Sequence, residues 1–226
     1  MKKSNPLFND LIVIDDPTPR PGPLNMAIDE VLLNSGRSAI LRFYMWDKPT
    51  ISFGYFVTFA EARAAAGDRA MVRRWTGGGI VPHGADLTYS IMIGWNDDNF
   101  SLPSKIIYQR VHAALSRALC EIGIDTVLTE ANEPKLSEAC FANPVVSDVI
   151  ENGRKIAGAA QRKTRSGLLH QGSIQRENLN GKFRSIFGKL LAKRFITNTI
   201  DMRMIFRAAE KLTVTKYGTD AWLRRH

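Results

Sequence analysis

Three stretches of this 226-residue chain hold residue types that chemistry uses. The first is Arg73-Arg74-Trp75-Thr76-Gly77-Gly78-Gly79-Ile80-Val81-Pro82-His83. Consecutive glycines let a backbone approach a ligand closely and take positive φ, and their N–H groups can face an anion or a carbonyl. The paired arginines add charge. A tight hairpin turn would read the same way, and the stretch is neither a Walker loop nor a dinucleotide fingerprint. The second stretch is Gly153-Arg154-Lys155-Ile156-Ala157-Gly158-Ala159-Ala160-Gln161-Arg162. A lysine just after a turn and followed by small residues sets an ammonium beside a crevice, where it can neutralise an oxyanion. Solvated surface is the commoner fate of lysine. The third is Ala139-Cys140-Phe141-Ala142-Asn143-Pro144, a loop-like setting for a thiol. A thiol with a pKa near 8.5 is only a few per cent thiolate at neutral pH, so a nucleophilic Cys140 needs a nearby cation or base. Lys155 and His170 are candidates. Cys120 is expected to be a small buried hydrophobe on a helix.

Other chemistries find no support. His83, His112, His170 and His226 lack metal-ligand spacing with a second His or Cys, and no Gly-x-Ser-x-Gly elbow occurs. Two cysteines do not make a disulfide framework. There is no apolar stretch long enough to span a membrane and no signal peptide at the start, so a cytoplasmic protein with reduced thiols is expected. The composition, 44% hydrophobic and 23% charged, is that of a globular chain. No linker divides it, so residues 1–226 are expected to form one domain. The net charge, 31 − 22 = +9, favours an acidic partner. Nucleic acid, acidic carrier proteins and anionic cofactors all satisfy that bias, but the basic residues are spread out rather than massed with interleaved aromatics, which argues against nucleic acid.

The elements that must position these stretches alternate irregularly. Strands are expected at Leu11–Ile14, Ile40–Tyr44, Thr50–Gly54, Met71–Arg74, Thr88–Ile93, Thr126–Leu128, Val145–Ile150, Lys155–Ala160 and Leu168–Ile174. Helices are expected from an Asn25 N-cap with Asp29-Glu30 in the first turn, and at Phe59–Ala66, Ile106–Ile122, Phe183–Leu191 and Met202–Leu212. Asn152-Gly153 reads as a hairpin turn. Together they predict an α+β fold with a mixed, largely antiparallel sheet flanked by helices.

Taken in order, "RRWTGGGIVPH", "GRKIAGAAQRK" and "LLHQGSI" resemble the three motifs of the biotin/lipoate protein ligase superfamily. "NMAIDEVLL", "LRFYMWDKPTISFGYF", "DLTYSIMI" and "TKYGTDAW" extend the resemblance from about Asn25 to Trp222, and Cys140-Phe141-Ala142-Asn143-Pro144 is similar to the Cys-Phe-x-x-Pro of its cysteine-nucleophile octanoyltransferase branch. Gly77-Gly78-Gly79 instead follows the ATP-using ligases, Gly84 stands where an Asp is usual, and His170-Gln171 reverses the expected order.

The resemblance implies a catalytic domain of that fold, without the C-terminal accessory domain of many ligases. It implies Cys140 and Lys155 as catalytic residues. It implies a substrate site of Arg73, Arg74, Gly77, Gly78, Gly79, His83, Tyr89, Gly158, Ala159, Ala160, His170 and Gly172. The implied reaction moves an octanoyl or lipoyl group to a lysine of a lipoyl domain, such as the glycine-cleavage H protein or a 2-oxoacid dehydrogenase E2. The donor is octanoyl-acyl carrier protein, with no cofactor or metal. The alternative it leaves open is a ligase using free lipoate, ATP and Mg²⁺.

Overall fold

The computed structural model describes residues 5–36, 39–130, 145–176, 179, 181–196 and 200–225. Its strands are β1 (Phe8–Asp15), β2 (Ile40–Tyr44), β3 (Thr50–Phe53), β4 (Ala70–Arg73), β5 (Ile80–His83), β6 (Leu87–Gly94), β7 (Val127–Leu128), β8 (Val149–Glu151), β9 (Arg154–Thr164), β10 (Gly167–Ile174) and β11 (Ala192–Ile196). Its helices are α1 (Gly22–Asn34), α2 (Phe59–Ala66), α3 (Ser104–Cys120), α4 (Gly181–Leu191), α5 (Met202–Leu212) and α6 (Asp220–Leu223). Eight strands form one sheet in the order β11-β1-β2-β6-β10-β9-β8-β7. β1 runs parallel to β2 and β11, and every other neighbouring pair in that sheet is antiparallel. A small sheet, β4-β3-β5, carries the glycine stretch between β4 and β5. The α+β expectation holds.

β2, β6 and β10 are buried on both faces. Helices explain why. α3 and α4 cover one face, where Ile107, Val111, Leu115, Phe183 and Phe187 pack on Tyr89, Ile91 and Ile93. α1 and α5 cover the other, packing Met26, Ile28, Leu32 and Ala209 with Tyr44, Met92 and Leu169. Each such apolar side chain stabilises the fold by roughly 1.5–3 kcal/mol relative to exposure. Among the described residues, no helix is long and apolar enough to cross a membrane.

Four local expectations are corrected. α1 starts four residues early because Pro21 and the prolines beside it suit a helix start without a side-chain cap. Asn25 is therefore inside the helix. Its amide donates to the Arg20 and Met45 carbonyls, and its oxygen accepts from Arg42. Asp29 likewise leaves the first turn and is fully buried against Arg42. Residues 145–148 are mostly turn rather than strand. Cys120 is exposed at the end of α3, so it is not the buried hydrophobe expected there. The Asn152-Gly153 turn does form, with φ of 48° and 74°, as a two-residue hairpin of this kind requires.

Candidate active site

Side chains alternate across a strand, so β6 and β10 serve two compartments. Thr88, Ser90, Gln171 and Ser173 face α1, while Tyr89 and His170 lie in the layer with α3 and α4. On the α1 side the large sheet and the small sheet enclose about 420 Å³ of empty space, part of it open to solvent. Met26, Tyr44, Trp46 and Val81 make its apolar walls. Gly158, Ala159, Ala160 and Gly172 make a floor with almost no side-chain bulk, and Ser52, Arg74, His83, Thr88, Gln171 and Ser173 add polar atoms.

The glycine stretch is held by its own arginine, Arg74, which lines the cavity, although Gly77, Gly78 and Gly79 do not. Arg74 Nη2 donates to the Gly77 and Gly79 carbonyls at 3.0 and 2.8 Å, and Nη1 donates to Ser52 Oγ at 2.7 Å. Gly78 has φ of 81°, a left-handed backbone that favours glycine. Gly54 lies beneath it so closely that a Cβ there would come within 1.9 Å of the Gly78 oxygen. Thr76 Oγ1 donates to Gln171 Oε1 at 2.8 Å, tying the stretch to the main sheet. Gln171 Nε2 donates in turn to Asp29, which is paired with Arg42 at 2.9 Å.

His83 sits between Ser52, 2.6 Å from Nε2, and Asp86, 2.8 Å from Nδ1, with its ring stacked on Trp46. The imidazole thus bridges the Asp86 carboxylate and the Ser52 hydroxyl through its two ring nitrogens. Burial alone would raise the Asp86 carboxyl. His83, Ser173 and the Gly84 amide outweigh it and hold the group below the usual carboxylate range. The order Ser52–His83–Asp86 is that of a serine triad, but the serine oxygen already accepts from Arg74 and the side chain is buried on a strand. Its evident effect is to link Asp86 through His83 to Arg74 and the glycine stretch.

Lys155 is buried near the start of β9, and its ammonium lies 2.7 Å from Asp148 Oδ2. A Cβ on Gly158, which lines the cavity, would fall 2.6 Å from Lys155 Cε and 2.9 Å from Nζ. The Lys155 ammonium is therefore seated against Gly158, a residue of the cavity lining and the one residue type that leaves room for it, while Lys155 itself is not among the lining residues.

Six expected substrate residues do not line the cavity: Gly77, Gly78 and Gly79, and also Arg73, Tyr89 and His170. The Arg73 guanidinium donates to the carbonyls of Tyr55, Val57, Trp222 and Leu223, so it fastens α6 to the small sheet. Tyr89 fills the α3 side beside Phe187, and Gly172 is where a side chain would collide with the Tyr89 ring, at 2.3 Å from Cζ. His170 is also on the α3 side, between Tyr89 and Gln161. Gln171, its neighbour, is the residue that faces the cavity. Cys140 lies outside the described residues. Ser52, Gly54, Thr76, Asp148 and Gln171 were not singled out from the sequence. Strand parity between His170 and Gln171 is the signal that would have found the last of them.

The α3 side has a consequence for stability. Burial pushes the His112 imidazole down to about 4, and burial with His112 nearby holds His170 well below its usual value. Both are neutral in the fold at pH 7. As pH falls below about 6.5, the unfolded chain takes up protons that the folded chain refuses. Stability then drops by up to about 1.4 kcal/mol per pH unit per histidine until the folded pKa is reached. Thermal melts should therefore show a falling midpoint from pH 7 to pH 5. A midpoint that holds steady over that range would contradict neutral burial of the pair.

This mixed, largely antiparallel sheet flanked by helices has the architecture of lipoate protein ligase catalytic domains. The chain superposes on a lipoate-protein ligase A solved with ATP with a TM-score of 0.73 at 21% identity, covering 96% of this chain and 98% of that one. For a bi-partite lipoate protein ligase of Thermoplasma acidophilum the TM-score is 0.70 at 22% identity, covering 97% of each. At such identities the likeness concerns the fold. The family itself follows from sequence: the lipoyl protein ligase A/B catalytic domain model matches residues 21–204, and the chain belongs to that family. It is 36% identical over 168 residues to octanoyltransferase LipM of Oceanobacillus iheyensis, and 34% identical over 172 residues to octanoyltransferase LipM of Symbiobacterium thermophilum. Those matches take in 70% and 69% of this chain and 61% of each relative.

Proposed function

We propose that this chain is the catalytic domain of a protein octanoyltransferase, moving an octanoyl group from octanoyl-acyl carrier protein to a lysine of a lipoyl domain. The observation that carries the reading is the Lys155 ammonium seated against Gly158, which with Ala159 and Ala160 floors an apolar cavity. An aliphatic chain suits the walls, at about 0.8 kcal/mol per buried methylene. Its carbonyl then lies beside a fixed cation. The curated relatives described as octanoyltransferases support the same class of reaction.

In this mechanism the Cys140 thiolate attacks the thioester carbonyl, and the oxyanion is stabilised by Lys155. Collapse expels the carrier thiolate and leaves an acyl thioester on Cys140. The acceptor lysine, as a neutral amine, attacks that thioester. It loses a proton, forms the amide and releases the cysteine thiolate. The Val145 amide donates to Asp148, the partner of Lys155, at 2.8 Å. The acceptor is a lipoyl domain such as that of H protein or a 2-oxoacid dehydrogenase E2. The +9 charge suits an acidic carrier or lipoyl domain, and a cytoplasmic setting would supply both.

The test sets two donors side by side with one apo lipoyl domain. Transfer from octanoyl-carrier protein without ATP is the expected result. Transfer only from free lipoate with ATP and Mg²⁺ would replace this reading with a ligase, toward which Gly77-Gly78-Gly79 leans.

A further inference from the structure

We propose that Asp148 is the positioning residue of this site, held by Tyr108 and His112 of α3 and in turn holding Lys155 against Gly158. The inference rests on the reading of Lys155 given above. Asp148 is fully buried, and each carboxylate oxygen has a separate task. Oδ2 meets Lys155 Nζ at 2.7 Å and accepts from the Val145 amide at 2.8 Å. Oδ1 accepts from the Tyr108 hydroxyl. The backbone of Asp148 works as well: its carbonyl accepts from Thr129 N at 2.9 Å, and its N–H donates to Val145 O at 2.9 Å. One residue therefore joins the catalytic lysine to Thr129 and Val145, on either side of the stretch that contains Cys140.

The turn carrying Asp148 does not hold itself in place. Ser147 has φ of 72°, an uncommon value for a residue with a side chain. Its carbonyl accepts from His112 Nδ1 at 2.7 Å, and its amide donates to Thr129 O at 2.8 Å. Tyr108 and His112 are four residues apart on α3, so they lie one above the other on the same helical face. Their rings touch, with centroids 4.1 Å apart. The Tyr108 oxygen also accepts from the Ala159 amide at 3.1 Å, so the same hydroxyl pins the cavity floor. His112 Nε2 is buried and has no partner among the described residues. A histidine that leaves one nitrogen unsatisfied in order to bond a strained turn is placed there for that bond. These contacts form one rigid path from α3 through Asp148 to the Lys155 ammonium.

The experiment compares Asp148→Asn, Tyr108→Phe and Lys155→Ala in the full chain, with two readouts. The first is steady-state transfer. Loss of position should lower kcat about tenfold to a hundredfold while KM for the octanoyl donor changes little, because the cavity walls are untouched. The second readout ignores activity: limiting acetic anhydride labels lysines, and mass spectrometry compares Lys155 with the exposed Lys211. Labelling of Lys155 relative to Lys211 should rise several-fold in both Asp148→Asn and Tyr108→Phe. A purely structural role would not move that ratio in a protein with normal melting behaviour. If Asp148→Asn fails to fold, Tyr108→Phe decides, since it keeps the ion pair while removing the hydroxyl that donates to Asp148 and accepts from the Ala159 amide. Unchanged labelling and unchanged kcat, with Lys155→Ala inactive, would overturn the inference. An active Lys155→Ala would instead overturn the proposed function, and the labelling ratio would still decide whether Asp148 positions the lysine.

Discussion

Lys155→Ala should lose about a hundredfold to a thousandfold in acyl transfer, the usual cost of removing a main oxyanion contact. The same change leaves the Asp148 carboxylate buried without its cation. Breaking a buried pair from one side typically costs about 3–5 kcal/mol, so this variant should also melt early. Lost activity could then be blamed on lost folding. The double variant Lys155→Met/Asp148→Asn separates the two. It removes both charges, keeps the methylene packing over Gly158 and retains an acceptor for Tyr108. Melting should return close to that of the unaltered protein, while transfer stays at the level of Lys155→Ala. Recovery of activity along with stability would mean that the ion pair is architectural and the oxyanion is stabilised by other groups.

Much of this site is legible in the sequence because small residues in a row have few structural uses. Ala157-Gly158-Ala159-Ala160 after a lysine reads as an ammonium beside a crevice with little side-chain bulk; in β9, Gly158, Ala159 and Ala160 line the cavity and the Lys155 ammonium packs against Gly158. The glycine stretch is legible for a similar reason, but its fastening is not. Arg73 and Arg74 look equivalent as a pair, yet strand alternation sends one guanidinium to the carbonyls of α6 and the other to the glycine carbonyls. His170 drew attention by its chemistry, while its plain neighbour Gln171 faces the cavity. Asn25 read as a cap because that is its commonest task, and the prolines before it started the helix earlier. Asp148 gave no local signal, since its partners Tyr108 and Lys155 are distant in sequence or separated by a turn. The parallel addition of β11 to β1 was equally silent: Ala192–Ile196 reads Ala-Lys-Arg-Phe-Ile, too polar to announce an edge strand.

The central claim is covalent catalysis at Cys140, and intact-protein mass spectrometry tests it most directly. The protein is incubated with octanoyl-carrier protein and no acceptor, then digested to locate the adduct. Alkylation rates would discriminate poorly, because Cys120 is exposed and so accessible to any reagent. An acyl adduct is a better measure, since it needs the cavity as well as a thiol. The account predicts one octanoyl group on Cys140, released by neutral hydroxylamine as a thioester and passed to an apo lipoyl domain when that is added. Cys120→Ala should behave the same way, and Cys140→Ala should form no adduct and transfer nothing. Full transfer by Cys140→Ala, with no adduct on the unaltered protein and a requirement for ATP, would contradict the account.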